Sequence, residues 1–228
     1  MLTPTEQLVL EHLAQFVSDH KKQGVEKILD LRTTRITVIL EDIFQSQNAS
    51  AAIRTCECMG LQQVHIVENI SKYSINPRVL KGANKWMDIK HYASKKENNT
   101  LACFEQLRSE GYTILVTDPS EGGTSIHEID VSRSKLALLF GNELRGASPE
   151  AIENGDEKIR IPMYGFTESL NISVSVAMCL GALVTKLRLN GINTSLAQSE
   201  KDRIRLNWYR KIVRKSALIE REFLRTIQ

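Results

Sequence analysis

Cysteine is scarce, with four in 228 residues. Placed at 56, 58, 103 and 179, the four make no disulfide framework in a chain this long. Cys56 and Cys58 stand one residue apart, and no second Cys or His pair lies nearby to complete a zinc site. Free thiols in a reducing cytoplasm are therefore expected, with no metal. Long hydrophobic runs are missing too. None reaches the ~20 residues that cross a bilayer, so no membrane partner is expected. Met1-Leu2-Thr3-Pro4 begins no signal peptide, because no basic start precedes an apolar core. There is no internal repeat and no low-complexity tract. No G-x-G-x-x-G turn follows the first expected strand, which disfavours a Rossmann-type nucleotide site.

Charge of either sign is close to balance, at +3, but it is unevenly placed. Residues 200–228 hold nine Lys/Arg against four acids, a local +5, so the rest of the chain sums to −2. A second basic cluster is His20, Lys21 and Lys22 with Lys27, Arg32 and Arg35. Basic ends on a near-neutral body suggest appendages that touch a polyanion, although solvated helix faces would look the same.

The periodicity reads as strands alternating with helices. Strands are expected at 37–40, 64–67, 88–92, 112–117, 136–140 and 158–161. Helices are expected at 4–18, 49–59, 98–110 and 170–190, with a basic piece at 21–35 broken by Gly24. Ser148 and Pro149 read as the N-cap and first residue of a further helix, and Asn76-Pro77 as a helical turn. This pattern implies an α/β fold, a mostly parallel sheet with helices on both faces. The last residues read as one amphipathic helix, with Ile204, Trp208, Ile212, Ile219, Phe223 and Ile227 on one face. Its expected partner is the main domain or a second subunit.

Three polar hinges interrupt this pattern. Asn48-Ala49-Ser50-Ala51-Ala52-Ile53-Arg54 follows the first strand. Asn48 and Arg54 would be about 240° apart on one helix, so Asn48 is read as the cap and Arg54 as a residue inside. Leu139-Phe140-Gly141-Asn142-Glu143-Leu144-Arg145-Gly146 follows a buried strand. Ile161-Pro162-Met163-Tyr164-Gly165-Phe166-Thr167-Glu168-Ser169-Leu170-Asn171 leads into the apolar helix. Ser and Asn at a helix start cap free N–H groups, and α/β folds place ligands at strand ends.

In their order and residues these segments resemble the three motifs of the SpoU/TrmH family of SPOUT RNA 2′-O-ribose methyltransferases, with most likeness to the tRNA guanosine-18 group. The resemblance covers roughly residues 36–190. It implies a deep trefoil knot across about 136–190, an obligate homodimer with a site built from both subunits, and helical extensions at both ends. The organisation would be a helical basic extension at 1–35, a methyltransferase domain at 36–192 and a basic helix at 193–228. It also implies methyl transfer from S-adenosyl-L-methionine to a ribose 2′-hydroxyl of tRNA, most readily guanosine 18 in the D-loop. The alternatives are rRNA, the anticodon loop, or a silent RNA-binding protein.

By matching motif positions, Arg54, Glu143 and Asn48 would carry the reaction. Arg54 would act as base or as a charge-stabilising donor, and Glu143 would orient it. Backbone groups at Thr117, Gly141, Ile161 and Leu170 would hold the cofactor. Ser169, Asn171 and Arg145 would meet the substrate, with Tyr164 and Phe166 free to stack on a base. Arg210, Lys211, Arg214 and Lys215 would contact RNA phosphates.

Overall fold

A computed structural model describes residues 1–120, 122–132 and 134–227. In chain order its helices are α1 (Pro4–Ala14), α2 (Asp19–Leu29), α3 (Ser46–Cys58), α4 (Pro77–Leu80), α5 (Asn99–Ser109), α6 (Pro149–Asn154), α7 (Ile172–Leu189), α8 (Gln198–Ile212) and α9 (Ser216–Thr226). The strands are β1 (Ile36–Glu41), β2 (Gln63–Val67), β3 (Asp88–Tyr92), β4 (Tyr112–Thr117), β5 (Thr124–Ser125), β6 (Lys135–Phe140) and β7 (Glu157–Arg160). The chain divides into two compact units, Thr34–Thr194 and the pair of terminal segments Met1–Thr33 with Ser195–Gln228.

In the larger unit all seven strands run parallel, in the order β3-β2-β1-β6-β4-β7-β5. Side chains alternate between the two faces of the sheet. Ile36, Val38 and Leu40 of β1 and Leu136, Leu138 and Phe140 of β6 pack with α3, α4 and α7. Ile39, Ala137, Leu139, Ile114 and Val116 point the other way, onto Cys103, Phe104 and Leu107 of α5 and Ala151 of α6. A central strand buried on both faces reads as a continuous apolar run, which is why ITVIL needs no polar alternation. The expected strands are all present. The two-residue edge strand β5 lies where only a glycine-rich turn was expected.

α7 is apolar enough to meet the length and composition of a membrane span, with mean hydropathy 1.6 over 18 residues. In the fold it is a core helix. Ile172, Val176, Cys179, Leu180, Leu183, Val184 and Leu187 are buried in the sheet cluster, and Lys186 near its end donates to the carbonyls of His127 and Ile129. Its other side leaves Val174 and Met178 about half exposed.

The terminal unit corrects four expectations. Gly24 does not break its helix, and α2 runs through it from Asp19 to Leu29. The C-terminal segment is two helices, because Lys215 takes a left-handed conformation at φ 58° between α8 and α9. The buried side of α8 packs against the N-terminal helices of the same chain. Ile204 and Trp208 are buried there, Arg32 lies over the Trp208 ring at 5.4 Å, and His12 of α1 stacks on Phe223 of α9 at 4.1 Å. Finally, Arg32 and Arg35 are not surface charges. Arg32 is 2% exposed, and Arg35, in the larger unit, donates to the carbonyls of Val131 and Ser132.

Candidate active site

The carboxyl ends of β1, β6, β4 and β7 lie side by side, and the loops leaving them carry the motif residues. After β6 the chain turns sharply at Gly141. Asn142 and Gly146 exchange two backbone hydrogen bonds of 2.9 Å, and Gly146 sits at φ +72°. A Cβ on Gly141 would fall 2.2 Å from the Ala147 nitrogen, so only glycine permits this closure. The Asn142 side chain fixes the loop from within. Its Nδ2 donates to the Asp42 carbonyl at 2.7 Å, and its Oδ1 accepts from the Leu144 and Arg145 N–H groups.

This loop delivers Glu143 to the start of α3. One carboxylate oxygen accepts from Phe44 N–H at 2.9 Å. The other accepts from Gln45 N–H at 3.1 Å and from Asn48 Nδ2 at 2.9 Å. The first helical N–H groups have no partner within a helix, and the cap residue Gln45 gives them no side-chain acceptor, its Oε1 accepting from Asn48 Nδ2 at 3.2 Å instead. Glu143, ninety-five residues downstream of Asn48, holds the two N–H groups just ahead of the helix and the Asn48 amide, and its charge complements the positive end of the helix dipole. Burial alone would raise the Glu143 carboxyl. The Asn48 amide and the Phe44 and Gln45 N–H groups outweigh it and hold the group below the usual carboxylate range.

The polarity then passes on in one direction. Glu143 only accepts, so Asn48 must present its amide NH2 to it and its oxygen away. That oxygen accepts from Asn171 Nδ2 at 3.0 Å. Asn171 turns its own oxygen to the start of α7, where it accepts from Ser173 N–H at 2.9 Å and Ser173 Oγ at 2.7 Å. Three segments distant in sequence are thereby locked through Glu143, Asn48 and Asn171. Asn171 is the expected helix cap. Asn48 is not: it sits inside the first turn of α3 and is buried, the helix beginning at Ser46 after the cap residue Gln45.

Arg54 stands apart from this network. It lies on α3 about 240° round from Asn48 and ~9 Å along the axis. It is exposed and makes no hydrogen bond or ion pair among the described residues. Within one chain Glu143 makes no hydrogen bond to it. Thr117 ends β4, with its Oγ1 donating to the Leu139 carbonyl at 2.8 Å. Gly141, Ile161 and Leu170 follow β6, follow β7 and precede α7, and their backbone N–H and C=O groups make no hydrogen bond among the described residues. Ser169, Arg145, Tyr164 and Phe166 are exposed on the same set of loops. Arg210 forms a two-point ion pair with Glu220 at 2.6 and 3.0 Å, whereas Arg214 and Lys215 are exposed at the corner between α8 and α9, and Lys211 is exposed on α8.

Two carboxylates with structural roles at this edge were not singled out from the sequence. Glu41 accepts from Ser148 N–H and Oγ and from Thr100 Oγ1, and it is almost fully buried. Asp42, at φ 52°, accepts from the N–H groups of Asn69, Ile70 and Ser71 at 2.8–2.9 Å. Together they pin the loops after β2 and β6 to the end of β1. The signal was two acids directly behind an apolar strand.

Residues 35–181 match the SpoU rRNA Methylase family. The tRNA (guanosine(18)-2′-O)-methyltransferase of Borreliella burgdorferi is 41% identical over 208 residues, covering 91% of this chain and 93% of that one. The enzyme of that name from Escherichia coli K12 is 30% identical over 182 residues, covering 78% and 77%. The structure of the Aquifex aeolicus TrmH/SpoU tRNA modifying enzyme superposes with a TM-score of 0.76 at 28% identity, over 86% of this chain and 98% of that one. The SpoU methyltransferase AviRb from Streptomyces viridochromogenes, in complex with AdoMet, shares the fold at a TM-score of 0.58 and 21% identity, over 72% and 61%. These likenesses define the class, an RNA 2′-O-ribose methyltransferase. The chain belongs to the SpoU rRNA methylase family, and its type there is TrmH.

Proposed function

We propose that this chain methylates the 2′-hydroxyl of guanosine 18 in the D-loop of tRNA, with S-adenosyl-L-methionine as donor. The chemistry rests on the Glu143–Asn48–Asn171 chain, which fixes all three motif segments along one edge beside unpartnered backbone groups. The choice of nucleotide rests on guanosine-18 relatives that align along nearly the whole chain.

The free N–H and C=O groups of Gly141, Ile161 and Leu170, next to Thr117, suit a ligand recognised through backbone, so the donor fits there. When bound it supplies an electrophilic methyl group. Arg54 is the residue that acts on the hydroxyl. A guanidinium keeps its proton at any working pH, so Arg54 serves as a donor. It stabilises negative charge on the 2′-oxygen and clamps a neighbouring phosphate, and the hydroxyl proton passes to solvent. Ser169 and Arg145 flank the ribose and its phosphates. Glu143, Asn48 and Asn171 position the loops and do not exchange protons.

Arg54 lies away from its own Glu143 network, and Phe44, Leu144, Val174 and Met178 remain exposed on the same unit. A homodimer accounts for both, with the Arg54 of one protomer completing the site of its partner. The loops at 141–147 and 161–171 form the trefoil knot in this reading. The enzyme works in the cytoplasm, where its four free thiols stay reduced.

The test is methylation of a tRNA transcript, mapped by nuclease digestion and mass spectrometry, with wild type and Arg54→Ala. Wild type should modify guanosine 18 and fail on a transcript with 2′-deoxyguanosine there. Arg54→Ala should lose on the order of 10²–10³ in single-turnover rate, as removing one oxyanion donor does, and keep its affinity for S-adenosyl-L-methionine. A methyl group mapped elsewhere overturns the substrate. An Arg54→Ala rate above about a third of wild type overturns the role of Arg54.

A further inference from the structure

The stretch between β2 and β3 carries no acid from Ser71 to Trp86 but holds Lys72, Arg78, Lys81 and Lys85. Local sequence pattern gives it little regularity, yet the fold ties it down at several points. Asp42 holds the Ser71 N–H and Glu68 holds the Tyr73 N–H, so Lys72 is fixed from both sides. Further on, the Asn76 N–H donates to Ser50 Oγ of α3 at 2.8 Å, and the Asn76 side chain caps α4. Ser50 and Arg54 are four residues apart, so they lie on the same side of α3, one turn from each other. Asn76 is therefore anchored one turn from Arg54, and α4 and the 3-10 turn Ala83–Lys85 continue along that helix.

Lys72, Arg78 and Lys81 are exposed, and none forms an ion pair among the described residues. This sets them apart from Lys201, Arg205 and Arg210 of the terminal unit, which are matched by Asp30, Glu26 and Glu220. An unneutralised set of cations on a pinned loop beside Arg54 is costly in self-repulsion unless a polyanion covers it. We propose that Lys72, Arg78 and Lys81 are a phosphodiester track on the methyltransferase unit itself, holding the RNA backbone that flanks the target ribose. The inference rests on the assignment of Arg54 to the reaction, because Arg54 sets where that ribose lies. It places part of the RNA affinity outside the basic termini, in a segment whose charge is hidden by the near-neutral total of the body.

The experiment compares full-length wild type with Lys72→Gln/Arg78→Gln/Lys81→Gln in filter binding to a tRNA transcript from about 50 to 300 mM salt. Each lost phosphate contact removes roughly 0.7–0.9 from the slope of log affinity against log salt, so the slope should flatten by about 2. Affinity at the lower salt should fall at least about tenfold. In methylation assays KM for tRNA should rise with the loss of affinity, while kcat at saturating tRNA stays within about twofold. S-adenosyl-L-methionine binding should not change. The single variants Lys72→Gln and Arg78→Gln are measured alongside, so the slope stays readable if the triple variant folds poorly. Salt curves that superimpose on wild type overturn the track, as does an affinity loss with an unchanged slope. Arg54→Ala in the same methylation assays separates the two readings: if it retains methylation, the assignment of Arg54 fails, whatever the slope of the triple variant.

Discussion

Replacing Glu143 with Gln removes one charge and turns one acceptor into a donor, with almost no change of shape. All three groups that face Glu143 are donors: Phe44 N–H, Gln45 N–H and the Asn48 amide. Whichever way the Gln amide turns, its NH2 confronts an N–H. At least one donor loses its partner: the Phe44 N–H in one orientation, or the Gln45 N–H and the Asn48 amide in the other, where Asn48 must flip and break its bond to Asn171. Hydrogen bonds to a charged group contribute ~1.5–3 kcal/mol each. Glu143 is partly open to water, which sets the net loss at the low end, about 2 kcal/mol. In a chain of this size that lowers Tm by about 4–8 °C. The pH dependence gives a sharper test. The folded state depresses the Glu143 carboxyl, so its contribution is complete above the ordinary carboxylate value of ~4.3 and is lost as pH falls through the lower folded value. Melting of wild type and Glu143→Gln, followed by circular dichroism, should therefore show the full gap at neutral pH. The gap should narrow below about pH 4. Equal stability at neutral pH, or a gap that persists undiminished into strong acid, would refute the role given to this carboxylate.

Burial, and secondarily Lys90, depresses His65 to about 4, with its Nδ1 against Tyr92 Oη at 3.2 Å. The unfolded chain protonates at ~6.5 and the folded chain only near 4, so stability should decline as pH drops across that window by on the order of 3 kcal/mol; His65→Phe should remove that part of the acid slope in urea titrations. Gly141→Ala places a methyl group against backbone that cannot yield, and should cost at least about 3 kcal/mol and abolish donor binding by calorimetry. Arg210→Ala should lower Tm through its lost pair with Glu220 and leave the tRNA salt slope unchanged, whereas Arg214→Gln/Lys215→Gln should leave Tm unchanged and flatten the slope by roughly 0.7–0.9 per contact.

The parts legible in the sequence were those set by local physics. The apolar strands ITVIL and LALLF announce burial on both faces, and Ser148-Pro149 and Asn171 announce helix starts that the structure places where expected. The misses share one cause, a partner far away in sequence. Local cap preference placed the start of α3 at Asn48, whereas the Asn48 side chain is taken by Glu143 and the helix begins at Ser46. Gly24 is tolerated inside α2 because Val25 and Leu29 are buried against neighbouring helices. Arg32 reads as surface charge, and only the fold reveals the Trp208 ring beneath it. Acidic partners likewise hide in composition: nine cations in the last segment look available, but Lys201, Arg205, Arg210, Arg221 and Arg225 are held in ion pairs.

The terminal unit is assembled from the first and last stretches of the polypeptide. Leu13 and Leu29 are fully buried there, and Arg205 closes on Glu26 across 179 positions of sequence. During synthesis α1 and α2 leave the ribosome long before α8 exists, and until then their apolar sides have no cover. The larger unit carries its own core, so it is free to fold first. Synthesis of α8 is thus the event that closes the terminal module, and a chain cut short before it leaves the leucines of α1 and α2 bare, a ready signal for proteolysis.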